Sequence, residues 1–436
     1  MSHGIVRLSI LSGVFILIAG CGGSGGGGGN GGGGGNGGGG GNSTTVTVAF
    51  TNGTPTAVAT KIGSGSYTTV TPASSITLSL PSGTTNFGVA YVCPPVTVTA
   101  TTTYQRTNQY IVEASTLDGT SFSWLCGAAY SPGATGTLTG SVDASAISGT
   151  IYVDILAQNG AWRSDDPVSA PGGSFSFAAP TGTDRVEVVA YSLDQTSYGL
   201  VYNLVAAKNF SGVTVPGALN GGNTVVLGTA DETTLEPITY NSVPSGFSAP
   251  VTFIEYYVDN GGFLITNGVT SAYPAVPAAA MESGDYYYFT AYAYSGSEEV
   301  LVDTRSTSGG PISFTFPPAW TYAGPAAAKW LSFDIAYTGF SGTTGVCDDV
   351  SMNWKTSSTA YNVVSLIATG NYLNGSTTMA IPDLSGLPGF VAAPASGTGA
   401  GWEALLLQGA SSPCLLPIPI NSTTKTVYTS GTYTVP

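Results

Sequence analysis

Histidine is what this chain most nearly lacks: one residue in 436 is histidine, His3, and it lies in a stretch that reads as a cleaved leader. Without an imidazole after export, Ser-His-Asp and Cys-His catalysis is excluded, and so are histidine-ligated zinc, copper and iron. Charge is almost as scarce. Only 8% of residues are Asp, Glu, Lys or Arg, too few to give many helices the charged outer face that a surface helix needs. The 10 basic residues are outnumbered by 24 acidic ones, for a formal net charge of −14, and they form no cluster. A phosphate backbone would be repelled by such a surface, which argues against nucleic acid as a partner. Gly397-Thr398-Gly399-Ala400-Gly401 lacks the strand-helix setting of a dinucleotide loop, and no cofactor is called for.

The residues that are plentiful, Thr, Ser, Gly, Val and 24 tyrosines, suit strands bounded by glycine turns. The fold class expected is all-β, with tandem immunoglobulin-like or transthyretin-like β-sandwich modules following a disordered glycine-rich tether. The beginning of the chain sets the address. Arg7 precedes an apolar run from Leu8 to Ala19, too short for the roughly 20 residues that span a bilayer, and the run ends in Ile18-Ala19-Gly20-Cys21. These four residues resemble the lipobox of bacterial lipoproteins. The resemblance implies that residues 1–20 are a signal peptide, that Cys21 is the acylated mature N-terminus, and that the chain reaches the membrane through that lipid. Gly22 in place of the Asp that retains enteric lipoproteins at the inner membrane implies the outer membrane, on its periplasmic or cell-surface side. Residues 21–42 are then the lipidated cysteine and a nearly pure glycine linker, which cannot bury enough side chain to order itself and spans about 25 Å as a random coil.

Behind the linker a pattern recurs in which an alternating strand, a turn with Ser or Thr and Gly, and a second alternating strand follow one another. Its glycines are Gly83, Gly182, Gly284 and Gly386, about 100 residues apart, the length of a β-sandwich. The expected modules are 43–134, 135–235, 236–327 and 328–436. Within the second, the order Gly136–Val142, Ile151–Leu156, Gly173–Phe177 and Pro180-Thr181-Gly182 resembles carboxypeptidase regulatory-like domains, small transthyretin-like sandwiches that are usually non-catalytic. The fourth copy is expected to use Phe390-Val391-Ala392-Ala393 as its second strand. Hairpins are expected at Asn159-Gly160, Asn260-Gly261, Asn267-Gly268 and Asn374-Gly375, since Asn-Gly suits the positive φ of a type I′ turn.

With Cys21 assigned to lipid, Cys93, Cys126, Cys347 and Cys414 remain. An even number in an oxidising compartment reads as disulfides. Three pairings are open, and the module boundaries favour Cys93–Cys126 and Cys347–Cys414; the absence of C-x-x-C spacing argues against a metal site. The candidate binding face is Tyr286, Tyr288, Tyr292 and Tyr294, which alternation puts on one side of a strand, with Tyr287, Phe289, Ala291 and Ala293 on the other. Such a row stacks on sugar rings or a protein partner, or else packs beneath a neighbouring module. Trp320, Tyr322 and Trp330 are read as packing a module joint. Asp165-Asp166, Glu298-Glu299 and Asp348-Asp349 are read as solvated loop charges rather than calcium ligands. The serine-elbow match Gly22-Gly23-Ser24-Gly25-Gly26 lies in the linker and has no strand or helix around it. The expected role is therefore binding of a glycan or a surface protein, without catalysis. A ligand-free structural spacer is the alternative, and a carboxylate-pair glycoside hydrolase the minor one.

Overall fold

The computed structural model describes residues 43–436 apart from 100–102, 128–133, 158–161, 164–167, 197–198, 259–260 and 416–418. The leader, Cys21, the glycine linker, Asp165-Asp166, Asn159-Gly160 and Asn260 lie outside the described residues. The rest is nearly all strand, as the composition requires, and the strands fall into four sets. The first contains β1 (Thr44–Thr51), β2 (Ala57–Ile62), β3 (Thr68–Val70), β4 (Ser75–Leu80), β5 (Asn86–Val92), β6 (Val96–Thr99), β7 (Thr103–Ser115) and β8 (Ser121–Leu125). The second contains β9 (Thr135–Asp143), β10 (Tyr152–Ala157), β11 (Trp162–Arg163), β12 (Val168–Ser169), β13 (Gly172–Pro180), β14 (Gly182–Thr196), β15 (Gly199–Val215), β16 (Gly217–Ala218) and β17 (Val225–Val226). The third contains β18 (Thr234–Asn241), β19 (Val251–Val258), β20 (Gly261–Val269), β21 (Ala272–Ala275), β22 (Tyr286–Ser295), β23 (Glu298–Ser306) and β24 (Ile312–Thr315). The fourth contains β25 (Ser332–Asp334), β26 (Val346–Ser357), β27 (Ala360–Thr369), β28 (Thr378–Ala380), β29 (Gly399–Gln408) and β30 (Thr423–Thr434).

One wiring diagram serves the first three sets, and the fourth follows part of it. In the first three sets the opening strand pairs antiparallel with a middle strand and parallel with the last: β1 with β4 and β8, β9 with β13 and both β16 and β17, β18 with β21 and β24. The fourth keeps the antiparallel half, β25 with β28. The second sheet of each sandwich centres on a strand flanked by a hairpin partner and by the strand after the glycine turn: β2 between β3 and β5, β10 between β12 and β14, β19 between β20 and β22, β26 between β27 and β29. Three of the four periodic glycines sit in a tight crossing from one sheet to the other, while Gly386 lies in the long irregular stretch between β28 and β29 and has no positive φ. Gly83, Gly182 and Gly284 have φ of 79°, 131° and 102°, and a Cβ at any of them would touch nothing within 4 Å. Backbone conformation, not space, therefore demands glycine there.

The described strands assemble into two compact units: residues 43–127, 320–415 and 427–436 in one, and 134–319 with 419–426 in the other. In the first unit, β7 zips in parallel to β27 from Gln105↔Ala360 to Glu113↔Ala368. The first and fourth sets thus share one sheet, and two exposed edges are removed at once. One face of this sheet, with Phe87, Val89, Tyr91, Val112 and Ile367, packs on Val46, Val48, Leu78, Phe122 and Trp124 of the β4-β1-β8 sheet. Disulfides Cys93–Cys126 and Cys347–Cys414 close loops of 33 and 67 residues, which by loop entropy contributes roughly 3–4 kcal/mol each. Asp118, in the turn after β7, accepts hydrogen bonds from the Ser115 N–H, Thr369 Oγ1, Asn371 Nδ2 and Ser412 Oγ. A carboxylate so fully partnered fastens the first set to the fourth.

The second unit joins its two sets in the same way. β15 meets β20 at Asn203↔Thr266, and the Tyr202 N–H donates to Asn267 Oδ1 at 2.7 Å. That bond corrects one expectation. Asn267-Gly268 does not make a hairpin but lies inside β20, where the pairing with β19 slips between Thr252 and Ile254. The slip is a bulge, the other use of a glycine within a strand. Asn374-Gly375 is a second correction. It has the positive φ of 47° and 85° yet caps the single helical turn Gly370–Leu373, whose Gly370 C=O accepts the Asn374 N–H. A third concerns residues 390–393, which are irregular; the second strand of the fourth set is β29. Pro388 and Pro394 flank that stretch and cannot donate to a ladder, and the Val391 N–H donates instead to Gln109 Oε1.

Candidate binding faces

β22 alternates as its sequence demands. Tyr287, Phe289, Ala291 and Ala293 are buried in the sandwich core beside Tyr256 and Tyr273, while Tyr286, Tyr288, Tyr292 and Tyr294 point to the other side. The second row is not an open platform. Tyr257 on β19 stacks on Tyr286 with centroids 5.1 Å apart and rings 3° from parallel, and from the β23 side the Arg305 guanidinium stands 5.0 Å from the same ring. Tyr288 is held edge-on by Tyr257 and faced by Arg305 at 5.8 Å, and Phe253 stacks on Tyr292. On β23, the residues opposite this row include Leu301, Asp303 and Arg305, all buried. Burial pushes the Asp303 carboxyl up to about 6 even though Thr290 donates to it. Three of the four tyrosines are half-buried with their ring faces engaged, and Tyr294, 42% exposed, is the one chiefly open to solvent.

Trp320, Tyr322 and Trp330 all fall in the first unit. Trp320 and Tyr322 lie tilted against each other at 4.6 Å, Tyr322 meets Trp402 of β29, and Trp330 meets Trp354 of β26, so they cover one face of the fourth set. Glu298-Glu299 begins β23 and is half-buried. Asp348-Asp349 overturns its reading as a loop pair: both residues lie within β26, Asp348 only 3% exposed. Burial raises each carboxyl to about 7, and for Asp349 the neighbouring Glu403 adds to the effect. Being adjacent on a strand, they point to opposite faces and do not form a catalytic pair. Among the described residues no cluster of acidic, cysteine or histidine side chains is arranged to hold a metal ion.

Sequence reasoning missed a different face. Because β26, β27 and β7 are in register, Lys355 lies opposite Tyr361 and Tyr361 opposite Arg106. Tyr104, two residues before Arg106 on the same face, brings its ring to 4.9 Å from Tyr361, and Lys355 Nζ sits 5.4 Å above the Tyr361 ring. The next row is Asn353, Val363 and Asn108, with Gly401 of β29 beside Asn353; the one after is Glu403, Ser351, Ser365 and Tyr110. The face passes from cations and rings, through amides and hydroxyls, to the apolar core. Tyr104, Arg106 and Tyr361 are half-buried and Lys355 is exposed. Nothing in the local sequence announces this, since about 250 residues separate the contributing strands.

Comparison with known proteins adds little that bears on these faces. No protein-family model and no curated protein matches the chain. Among solved structures, a candidate adhesin from Bacteroides ovatus ATCC 8483 aligns over 44% of this chain and 95% of its own, at 10% identity and a TM-score of 0.17. A candidate cell adhesion protein from Bacteroides uniformis ATCC 8492 aligns over 37% and 83%, at 14% identity and a TM-score of 0.14. At those scores neither carries an argument about this chain.

Proposed function

We propose that this chain is an extracytoplasmic lipoprotein that acts by binding a glycan or a surface protein, and that it turns over no substrate. The observation that supports binding best is the row Lys355–Tyr361–Arg106 with Tyr104: two cations and two rings on one sheet face, bordered by the half-buried Asn353 amide, in a chain otherwise poor in charge. Rings with one hydrated edge and side chains rich in donors are the usual equipment of a recognition surface. The lipid on Cys21 and the glycine linker would hold both units clear of the outer membrane. A spacer without ligand is the second reading, favoured by the tyrosines of β22, whose rings are mostly occupied by one another and by Arg305.

Two measurements test the proposal. Intact mass of protein extracted from membranes is expected to show a diacylglyceryl-modified, N-terminal Cys21, and an unmodified cysteine would remove the anchor from the account. Residues 43–436, immobilised and offered a glycan array and a surface-protein extract, are expected to retain a ligand at micromolar concentration or tighter. Retention no better than that of the same fragment reduced and unfolded would leave the spacer reading standing.

A further inference from the structure

Resting on the binding role proposed above, we infer that the row Lys355, Tyr361, Arg106 and Tyr104 is a subsite for a carboxylate-bearing saccharide, such as a uronic-acid chain. The argument is one of unmatched charge. Among the described residues, Lys61 pairs with Glu113, Lys208 with Asp231, and Arg185 with Glu187 and Asp285, while the buried Arg305 spends its charge on the rings of Tyr286 and Tyr288. Arg106 and Lys355 have no carboxylate partner. Arg106 Nε is buried without a hydrogen-bond partner, and Lys355 rests its ammonium over the Tyr361 ring rather than on an acid. Burying a guanidinium N–H with nothing to donate to costs free energy, and the rest of this half-buried guanidinium keeps its charge for an acceptor from outside.

The neighbours select what kind of acceptor. A free phosphate or a simple anion would use the two cations and ignore the rest of the face. Here the cations flank a tilted pair of tyrosine rings, the surface on which the C–H face of a pyranose stacks. Beyond them the half-buried Asn353 supplies an amide to the hydroxyls of the same sugar, while Asn108, Ser351 and Ser365 in the following cross-strand rows are buried. Gly401 keeps this floor shallow, since a Cβ there would lie 3.0 Å from the Asn353 amide oxygen. The carboxylates on this face, Glu403 and Asp349, lie two and three cross-strand rows away from the cations, so the tyrosine end is where an acidic ring is favoured.

Full-length lipoprotein in detergent micelles is titrated with polygalacturonate oligosaccharides and with the same oligosaccharides after reduction of their carboxyl groups. The acidic probe is expected to bind at least tenfold tighter than the reduced one, and its affinity to fall as salt rises from about 20 to 150 mM, as for a partly exposed charge pair. Arg106→Gln with Lys355→Gln is expected to abolish that preference, whereas Arg106→Lys with Lys355→Arg retains most of it. Tyr361→Ala is expected to weaken both probes and Tyr361→Phe to restore them. The charge-retaining and Phe variants report on folding, so loss of binding in the neutral variants is attributable to charge. Equal affinity for the two probes, or an acidic preference that survives the double glutamine variant, overturns this subsite. Retention of neutral glycans alone would overturn it and leave the general binding role in place, while retention of nothing would end both.

Discussion

Replacing Asp285 with alanine is expected to destabilise the second unit by about 3 kcal/mol, the lower end of the cost of breaking a buried ion pair, since Arg185 keeps Glu187 as a second partner. Asp285 takes Arg185 Nη1 and Nη2 in a fork at 2.7 and 2.9 Å, and its Oδ2 also accepts from the Tyr256 hydroxyl and the Glu282 N–H. Arg185 Nε donates to Glu187 and Nη2 to the Ala280 carbonyl. Arg185 and Glu187 come from β14 and Asp285 from the turn before β22, so this cluster is the electrostatic joint between the second and third sets. Both Arg185 and Asp285 are buried, so no water replaces the two lost bonds, and Arg185 keeps only Glu187, the Ala280 carbonyl and the more distant Glu282. Urea denaturation of Asp285→Ala checks the magnitude, with Glu282→Gln as the control. Glu282 is largely exposed and 3.8 Å from Arg185, and its removal is expected to cost less than about 1 kcal/mol. Equal losses in the two variants would mean that the cluster does not hold the sets together.

The second large effect is on pH. Burial raises Asp348 to about 7, against about 3.9 in an unfolded chain. Below pH 4 both states are protonated and the residue contributes nothing to the pH dependence. As pH rises from 4 to 7 the unfolded state releases its proton while the folded state keeps it, so stability falls, and above 7 the full penalty remains. Three pKa units amount to roughly 4 kcal/mol as an upper figure. Asp349 shifts in the same direction, through burial first and Glu403 second. Asp348→Asn is therefore expected to raise the thermal midpoint at pH 8 and to leave it nearly unchanged at pH 4. A stabilisation equal at both pH values would show that the effect is one of packing and not of ionisation.

How far the sequence foretold this molecule can be judged from particular residues. The wiring of the first three sets was legible because its cause is local: a sandwich must cross from one sheet to the other, and Gly83, Gly182 and Gly284 stand at that crossing with positive φ, which Gly386 in the fourth set does not have. The two faces of β22 were legible for the same reason, since alternation alone separates Tyr287 from Tyr288. What alternation cannot show is who stands beside a strand. Asp348-Asp349 resembled loop charges because two adjacent acids rarely occupy a strand interior, yet β27 and β29 enclose them from both sides. Arg106 and Tyr361 belong to different sets, and only the parallel pairing of β7 with β27 makes them neighbours. Parallel strands need long crossovers, so the information lies in two segments about 250 residues apart and in no motif.

The pairing of β7 with β27 is thus the claim from which the shared sheet of the first unit and its row of cations and rings both derive. Native-state hydrogen exchange at individual amides tests it most directly. Residues 105–113 and 360–368 are expected to open with one common free energy and to lose protection together across a denaturant series. Early exchange of β27 while β7 stays protected would contradict the pairing, and with it the binding surface built on those two strands.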